Sequence, residues 1–338
     1  MTPEVESAAP SWDVLPASEC DLGESPVWCA ADQSLVWIDI ARRLVLRQDI
    51  ATGAMDRWPL PCEPGCIAAA VRGSSQGTPW GWVLALRDGI WHAETFGGPL
   101  RRLAAPPYDP AHTRFNDGRA DPLGRFWAST IFEPRNAPAA ALYCLDLRDP
   151  HTPGVLERIA GDAVVGNGLA FAPDRRTVYW ADTTSHLVRA WDWDAPHNRL
   201  TRVHVFHQFQ GKPLDWTADF AAFTETGDAM RRHAALRLYG GRPDGATVDA
   251  SGHYWVAMYE GARVLRLSPQ GRVVQELTLP AMCHTMPCLG GPDRRTLYVT
   301  TARQGRSAAE LLALPHSGCV FATRVDVPGI ESTAVVCH

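Results

Sequence analysis

No segment of this 338-residue chain approaches the ~18 consecutive apolar residues needed to cross a bilayer, which excludes a membrane-spanning helix. The start, MTPEVESAAPSWDV, lacks the basic opening and the apolar stretch of a secretory signal, so a cytoplasmic protein is expected. Like charges never run together and the net charge is only −5, leaving no electrostatic footprint for nucleic acid or an anionic membrane. The nine cysteines are odd in number and dispersed, unlike a disulfide framework. Cys62 with Cys66, and Cys283 with Cys288, have no second pair at zinc-ribbon spacing, so buried thiols are expected. Helical periodicity is too sparse for a βα barrel. What is present is 46% apolar residues, enough for a sizeable core, in a chain suited to acting on a small molecule.

A phrase recurs along the chain: a turn rich in Gly, Pro, Asp or Asn, then a short strand carrying an aromatic residue. It occurs as ADQSLVWIDI ending at Ile40, TPWGWVLAL ending at Leu86 and DPLGRFWAST ending at Thr130. It returns as APDRRTVYWADT ending at Thr183, DASGHYWVAM ending at Met258 and GPDRRTLYVTTA ending at Ala302. Val, Trp, Tyr and Thr after a polar turn suit a half-buried antiparallel strand. The first copies are spaced by about 45 residues, the length of a four-stranded propeller blade. The expectation is an all-β chain: a flexible tail over residues 1–11, then a single six-bladed β-propeller over 12–338. One interval is too long, and residues 208–239 account for the excess as an insertion between blades. Its second half, TGDAMRRHAALRLYGG, reads as a helix capped by Asp228, with Met230, Ala234 and Leu238 on one face and Gly240-Gly241 as the stop. Long insertions are often functional, so this one is either a lid over the channel mouth or an outer decoration.

Four stretches place compact polar residues at the start of apolar strands: GESPVW with Glu24, RFNDG with Arg114, Asn116 and Asp117, GNGLAF with Asn167, and RPDGATVD with Asp244. If those strands are the innermost of their blades, Glu24, Asn167 and Asp244 face one channel. Two carboxylates and an amide are hard oxygen donors, suited to Ca²⁺, Mg²⁺ or Mn²⁺. Three protein ligands leave open positions for water and substrate. The alternative is that Asn167-Gly168 and Asp244-Gly245 are plain turn residues. His204 and His207, in VHVFHQF, read as surface or cross-strand residues, and His284 has no ligand partner at a recognisable spacing. The single GxSxG match, around Ser75, precedes a strand and does not form a nucleophile elbow.

In sequence the chain resembles the senescence marker protein/gluconolactonase/regucalcin-like family of six-bladed propellers from Leu22 to about Ile330. The likeness rests on LGESPVW, RFNDGRADPLGRFWAST, NGLAFAPDRRTVYWADT, RPDGATVDASGHYWVA and GGPDRRTLYVTTA, in that order. It implies hydrolysis of a sugar (aldono-) lactone in sugar catabolism, with Glu24, Asn167 and Asp244 as ligands of one divalent ion. That ion would be Ca²⁺, Zn²⁺, Mg²⁺, Mn²⁺ or Fe²⁺, with Ca²⁺ slightly favoured. The resemblance makes Arg114, Asn116 and Asp117 substrate-binding residues and Glu133 a further acidic contact. Asp182 falls beside the ion or in a structural hydrogen-bonding role. Asp244 is the candidate base, in competition with metal-bound hydroxide. Other readings keep the propeller but give it another ester or a phosphotriester, or make it a non-catalytic calcium-binding protein. The expected partner is a small sugar lactone, handled by a monomer or small homo-oligomer, with no nucleic acid and no membrane.

Overall fold

The computed structural model describes residues 10–74, 77–149, 151, 154–218 and 239–338. Six antiparallel sheets form a closed ring, each innermost strand packing against the next and the sixth against the first. The first blade runs Gly23–Cys29, Ser34–Asp39, Leu44–Asp49, Met55–Pro59, and the second Pro64–Arg72, Thr78–Leu86, Gly89–Ala93, Arg101–Ala104. The third comprises Thr113–Ala120, Phe126–Phe132, Ala140–Leu145 and Leu156–Ala163. The fourth comprises Gly166–Phe171, Thr177–Asp182, Leu187–Asp194 and Arg199–Gln208. The fifth is Arg242–Val248, Tyr254–Tyr259, Arg263–Leu267, Val273–Thr278. The sixth takes Cys283–Gly290, Thr296–Ala302 and Phe321–Arg324, with Asp13–Val14 from the other end of the chain as its outermost strand.

Each recurring phrase is the second strand of one blade, and its turn residue organises that strand. In the third blade Asp121 accepts from the backbone of Leu123 and Arg125, from Arg125 Nε at 2.5 Å and from Trp127 Nε1 at 2.9 Å. In the fifth, Asp249 repeats this with Ser251, His253, Trp255 and Arg266. Both carboxylates are fully buried, so these bonds are what make their burial tolerable. Apolar side chains then fill the wedges between neighbouring sheets. Val36, Ile38 and Leu84 pack between blades one and two, Phe115 and Tyr143 between two and three, and Trp127 and Trp180 between three and four. Tyr179 and Tyr254 fill the next wedge, Trp255 and Phe321 the fifth, and Trp37 and Tyr298 the sixth. The core is thus a set of six radial layers, which is how a propeller buries area without a central helix.

Two segments tie the ring together. Asp13–Val14 pairs with Phe321 and Ala322, so the sixth blade contains both ends of the ring. The C-terminal segment crosses the far end of the channel: Gly329 bridges Asp249, Ala250 N donates to Pro328 O, and Val335–Cys337 pairs in parallel with Ala70–Arg72. Ile330–Thr333 thereby close a mostly apolar cavity at that end of the channel. A helix, α1 (Ala308–Ala313), capped by Ser307, lies in the loop between the second and third strands of the sixth blade. The described parts of the insertion, 209–218 and 239–241, join blades four and five. The expected helix, the greater part of the expected N-terminal tail and Ser75 lie outside the described residues.

Candidate active site

All six innermost strands carry a register shift near the same end. The shift falls between Glu24 and Val27, Pro64 and Cys66, Phe115 and Gly118, Asn167 and Ala170, Pro243 and Ala246, and His284 and Met286. A bulge bends the strand and re-aims the side chains beside it, a device common next to active sites. Four of these shifts contain or adjoin the polar residues singled out in the sequence. Glu24 precedes Ser25, a non-glycine at φ +48°, while Asn116 and Asp117 form the bulge of the third blade. Asn167-Gly168 and Asp244-Gly245 are therefore not surface turns but parts of inner strands. Gly168 has φ +57°, and a Cβ there would stand 2.3 Å from the Tyr254 hydroxyl. At Gly245 a Cβ would stand 2.5 Å from Met286 Cβ. The ring is too tight at these two points for a side chain.

The bulges bring blades one, three, four and five to one cavity of about 250 Å³. Glu24, Arg114, Asn116, Asn167 and Asp244 all line it. A hydrogen-bond chain crosses three blades there. Arg114 Nη1 donates to Asn116 Oδ1 at 3.0 Å, Asn116 Nδ2 to Asn167 Oδ1 at 3.1 Å, and Asn167 Nδ2 to Asp244 Oδ1 at 2.5 Å. Thr183 Oγ1 accepts a second bond from Asn167 Nδ2 at 2.9 Å. Such a chain holds each side chain by both its neighbours and leaves little rotamer freedom.

The electrostatics of this cavity are unfavourable as they stand. Glu24 and Asp244 are each only 7% exposed. Burial, then the charges of Asp244 and Asp117, pushes the Glu24 carboxyl well above its usual range. Burial and the Asp117 charge do the same to Asp244. Buried carboxylates that repel one another are relieved by proton uptake or by a cation. Glu24 and Asp244 with the Asn167 amide offer hard oxygens to a divalent ion, and they fit one better than they fit any apolar ligand. Among the described residues no cluster of three or more His, Cys, Asp or Glu is arranged to hold an ion, so the amide is an essential part of this donor set.

The remaining expected residues fall around this centre. Asp117 is not on the cavity wall; its Oδ2 accepts from Leu169 N at 2.8 Å, and its buried Oδ1 has no partner among the described residues. Glu133 stands at the rim, gripped by Arg87 at 2.9 and 3.0 Å and 3.4 Å from Arg114 Nε. The Arg87 bonds hold its carboxyl below the ordinary range. Asp182 accepts from Val165 N, Thr184 N and Ser185 Oγ, a structural assignment that leaves it off the wall. His284 is fully buried and kept neutral, burial pulling its pKa to about 4; it does not line the cavity. His207, in the outermost strand of the fourth blade, bonds to Gly271 O in a turn of the fifth, and all nine cysteines are free.

Six further polar wall residues were not singled out from the sequence: Arg135, Thr183, Thr184, Arg242, Tyr259 and Gln304. A signal for some of them existed. The end of a second strand pairs antiparallel with the start of the innermost one, so Tyr259 lies opposite Arg242 and Ala181 opposite Asn167. The residues ending YWADTT and YWVAMY were thus bound to reach the rim. The insertion's described ends are clasped there as well. Lys212, the only lysine in the chain, grips Glu260 at 3.0 and 3.1 Å, and Trp216 packs edge-on against Tyr239.

Known proteins resemble this chain over most of its length. A profile of the "SMP-30/Gluconolactonase/LRE-like region" matches residues 22–303. A 6-deoxy-6-sulfogluconolactonase of Pseudomonas putida is 42% identical over 308 residues, covering 91% of this chain and 92% of that one. Human regucalcin is 32% identical over 327 residues, covering 94% and 95%. The crystal structure of a calcium-binding protein, regucalcin, from Agrobacterium tumefaciens superposes with a TM-score of 0.81 at 24% identity, covering 97% and 99%, and is alike in fold.

Proposed function

The chain belongs to the SMP-30/gluconolactonase/LRE-like family, and from that premise we propose that it is a metal-dependent hydrolase opening a sugar lactone to its aldonic acid. The observation that carries this reading is the convergence of Glu24, Asn167 and Asp244 with Arg114 and Asn116 on one cavity. Glu24, Asn167 and Asp244 would hold the divalent ion; when bound, it supplies Lewis-acid polarisation of the lactone carbonyl. The side chains around it do the rest. Arg114 and Asn116 hold sugar hydroxyls and fix the carbonyl carbon in reach of water. Asp244 accepts the proton of that water as its oxygen bonds to the carbonyl carbon. The ring C–O bond then breaks, and the departing ring oxygen takes that proton back from Asp244 to become the hydroxyl of the open acid. Asn167 keeps the Asp244 carboxylate oriented through its 2.5 Å bond.

A non-catalytic calcium-binding propeller is the competing reading. It needs the donor set but gives no reason for a wall of Arg114, Asn116, Thr183, Thr184 and Gln304, which suits a polyhydroxylated ligand. The nine free cysteines favour a reducing, cytoplasmic setting, where a lactonase of sugar catabolism would work. The test is a panel of aldonolactones, the 6-sulfonated gluconolactone among them, assayed with and without chelator. Turnover above spontaneous hydrolysis, lost on chelation and restored by a divalent ion, is the expected result. Turnover indifferent to chelation removes the metal, and absence of turnover removes the reaction. Full activity in Asp244→Asn removes Asp244 as base.

A further inference from the structure

Three guanidinium groups line the cavity: Arg114, Arg135 and Arg242. Arg114 donates from Nη1 to Phe115 O at 2.9 Å and to Asn116 Oδ1, with Glu133 beside its Nε, which leaves Nη2 for the sugar hydroxyls. Arg242 is committed only in part, and Arg135 is not. Arg242 Nη2 reaches Glu260 Oε2 at 2.8 Å, but Lys212 and Arg306 share that same carboxylate. Its buried Nε has no partner among the described residues. Arg135 is exposed and has no carboxylate partner among the described residues. It sits at φ +54°, in a left-handed turn after the second strand of the third blade.

A neutral sugar is served by the amides and hydroxyls already on the wall, and needs neither of these arginines. We propose that Arg135 and Arg242 form an anion-holding subsite, so that the lactone this chain prefers carries an oxyanion group, sulfonate or phosphate, remote from its carbonyl. The inference rests on the lactonase reading of the cavity. Geometry supports it. Arg242 stands two residues before Asp244 on the same inner strand, so its backbone lies within about 6–7 Å of that of Asp244. That distance is comparable with the span from the carbonyl carbon to a substituent on the sixth carbon of a lactone. The planar guanidinium fork matches the oxygen spacing of such groups, and charge-assisted bonds to it are about twice as strong as neutral ones. Both arginines line the same cavity as the carboxylates.

The experiment compares kcat/KM for gluconolactone with that for its 6-deoxy-6-sulfo and 6-phospho forms. It uses the full chain, the wild type beside Arg135→Gln, Arg242→Gln and Arg135→Lys. The wild type is expected to prefer one charged lactone by about tenfold or more, and the two charged forms identify the oxyanion. Each Gln variant is expected to lower the charged-to-neutral ratio by about tenfold, through KM rather than kcat, and Arg135→Lys to retain part of it. A wild-type ratio near one overturns the proposal. So do variants that lower both lactones equally, because the arginines would then only soften carboxylate repulsion. If no lactone is opened, the lactonase reading fails, and the subsite is judged by calorimetry with 1,5-anhydroglucitol and its 6-sulfonate, neither of which can be opened. Tighter wild-type binding of the sulfonate, lost in Arg135→Gln, sustains the subsite; equal binding overturns it.

Discussion

Glu24 and Asp244 are buried together at the channel mouth, so an ion held between them should report itself in stability before any activity is measured. A ligand that binds only the folded chain stabilises it by about 2.7 kcal/mol at a hundred times its Kd. Melting entropy of about 2.1 cal/mol/K per residue, over 338 residues, gives about 0.7 kcal/mol per degree. The wild type should therefore melt about 4 °C higher at that ion concentration than in chelator. Asp244→Asn separates the terms. Asparagine can still accept the Asn167 Nδ2 bond through its carbonyl oxygen, while one of two repelling charges disappears. Its melting temperature in chelator should be no lower than that of the wild type. If losing one anionic donor weakens binding about a hundredfold, the same ion concentration only equals Kd and contributes about 0.4 kcal/mol, under 1 °C. The assay is differential scanning fluorimetry with Ca²⁺, Mg²⁺, Mn²⁺ and Zn²⁺ titrated into chelator-treated protein. A wild-type melt unmoved by every ion, or an Asp244→Asn variant with the full shift, refutes the reasoning.

The C-terminal strap offers a second check. Val335, Val336 and Cys337 are buried against the second blade, and burying such side chains contributes about 1.5–3 kcal/mol each, so truncation after Val325 should cost about 5 kcal/mol and lower the melt by about 7 °C. An unchanged melt would show that Asp13–Val14 alone keeps the ring shut. At Glu260, burial alone would raise the pKa, but the Lys212 bond and the Arg242 charge outweigh it and hold the carboxyl below its ordinary value of 4.5. Its contribution is therefore fully present above about pH 5 and is lost as the pH falls through the lowered folded value, so Glu260→Gln should flatten the acid limb of a stability–pH curve; an unaltered limb would deny the clasp.

Much of this protein was determined locally, and that part was legible in the sequence. The Asp of DPLGRFW and of DASGHYW caps its own turn and bonds the Trp six residues on, all within one hairpin, so each phrase specifies a second strand on its own. Six such strands are enough to imply six blades. Glu24, Asn167 and Asp244 could be proposed as one set because inner strands of successive blades must face a common axis.

What only the tertiary structure decided depends on contacts between blades. The bulges at Asn167 and Asp244 lie where neighbouring inner strands crowd Gly168 and Gly245, a constraint invisible within any one phrase. Arg135, Arg242 and Lys212 acquire meaning only when blades three, four and five meet at one rim, since each looks like ordinary surface charge in its own segment. The same holds for the two ends of the chain. Asp13–Val14 and Val335–Cys337 have no periodicity of their own, and become strands because an unpaired edge of the sixth blade and of the second is there to receive them.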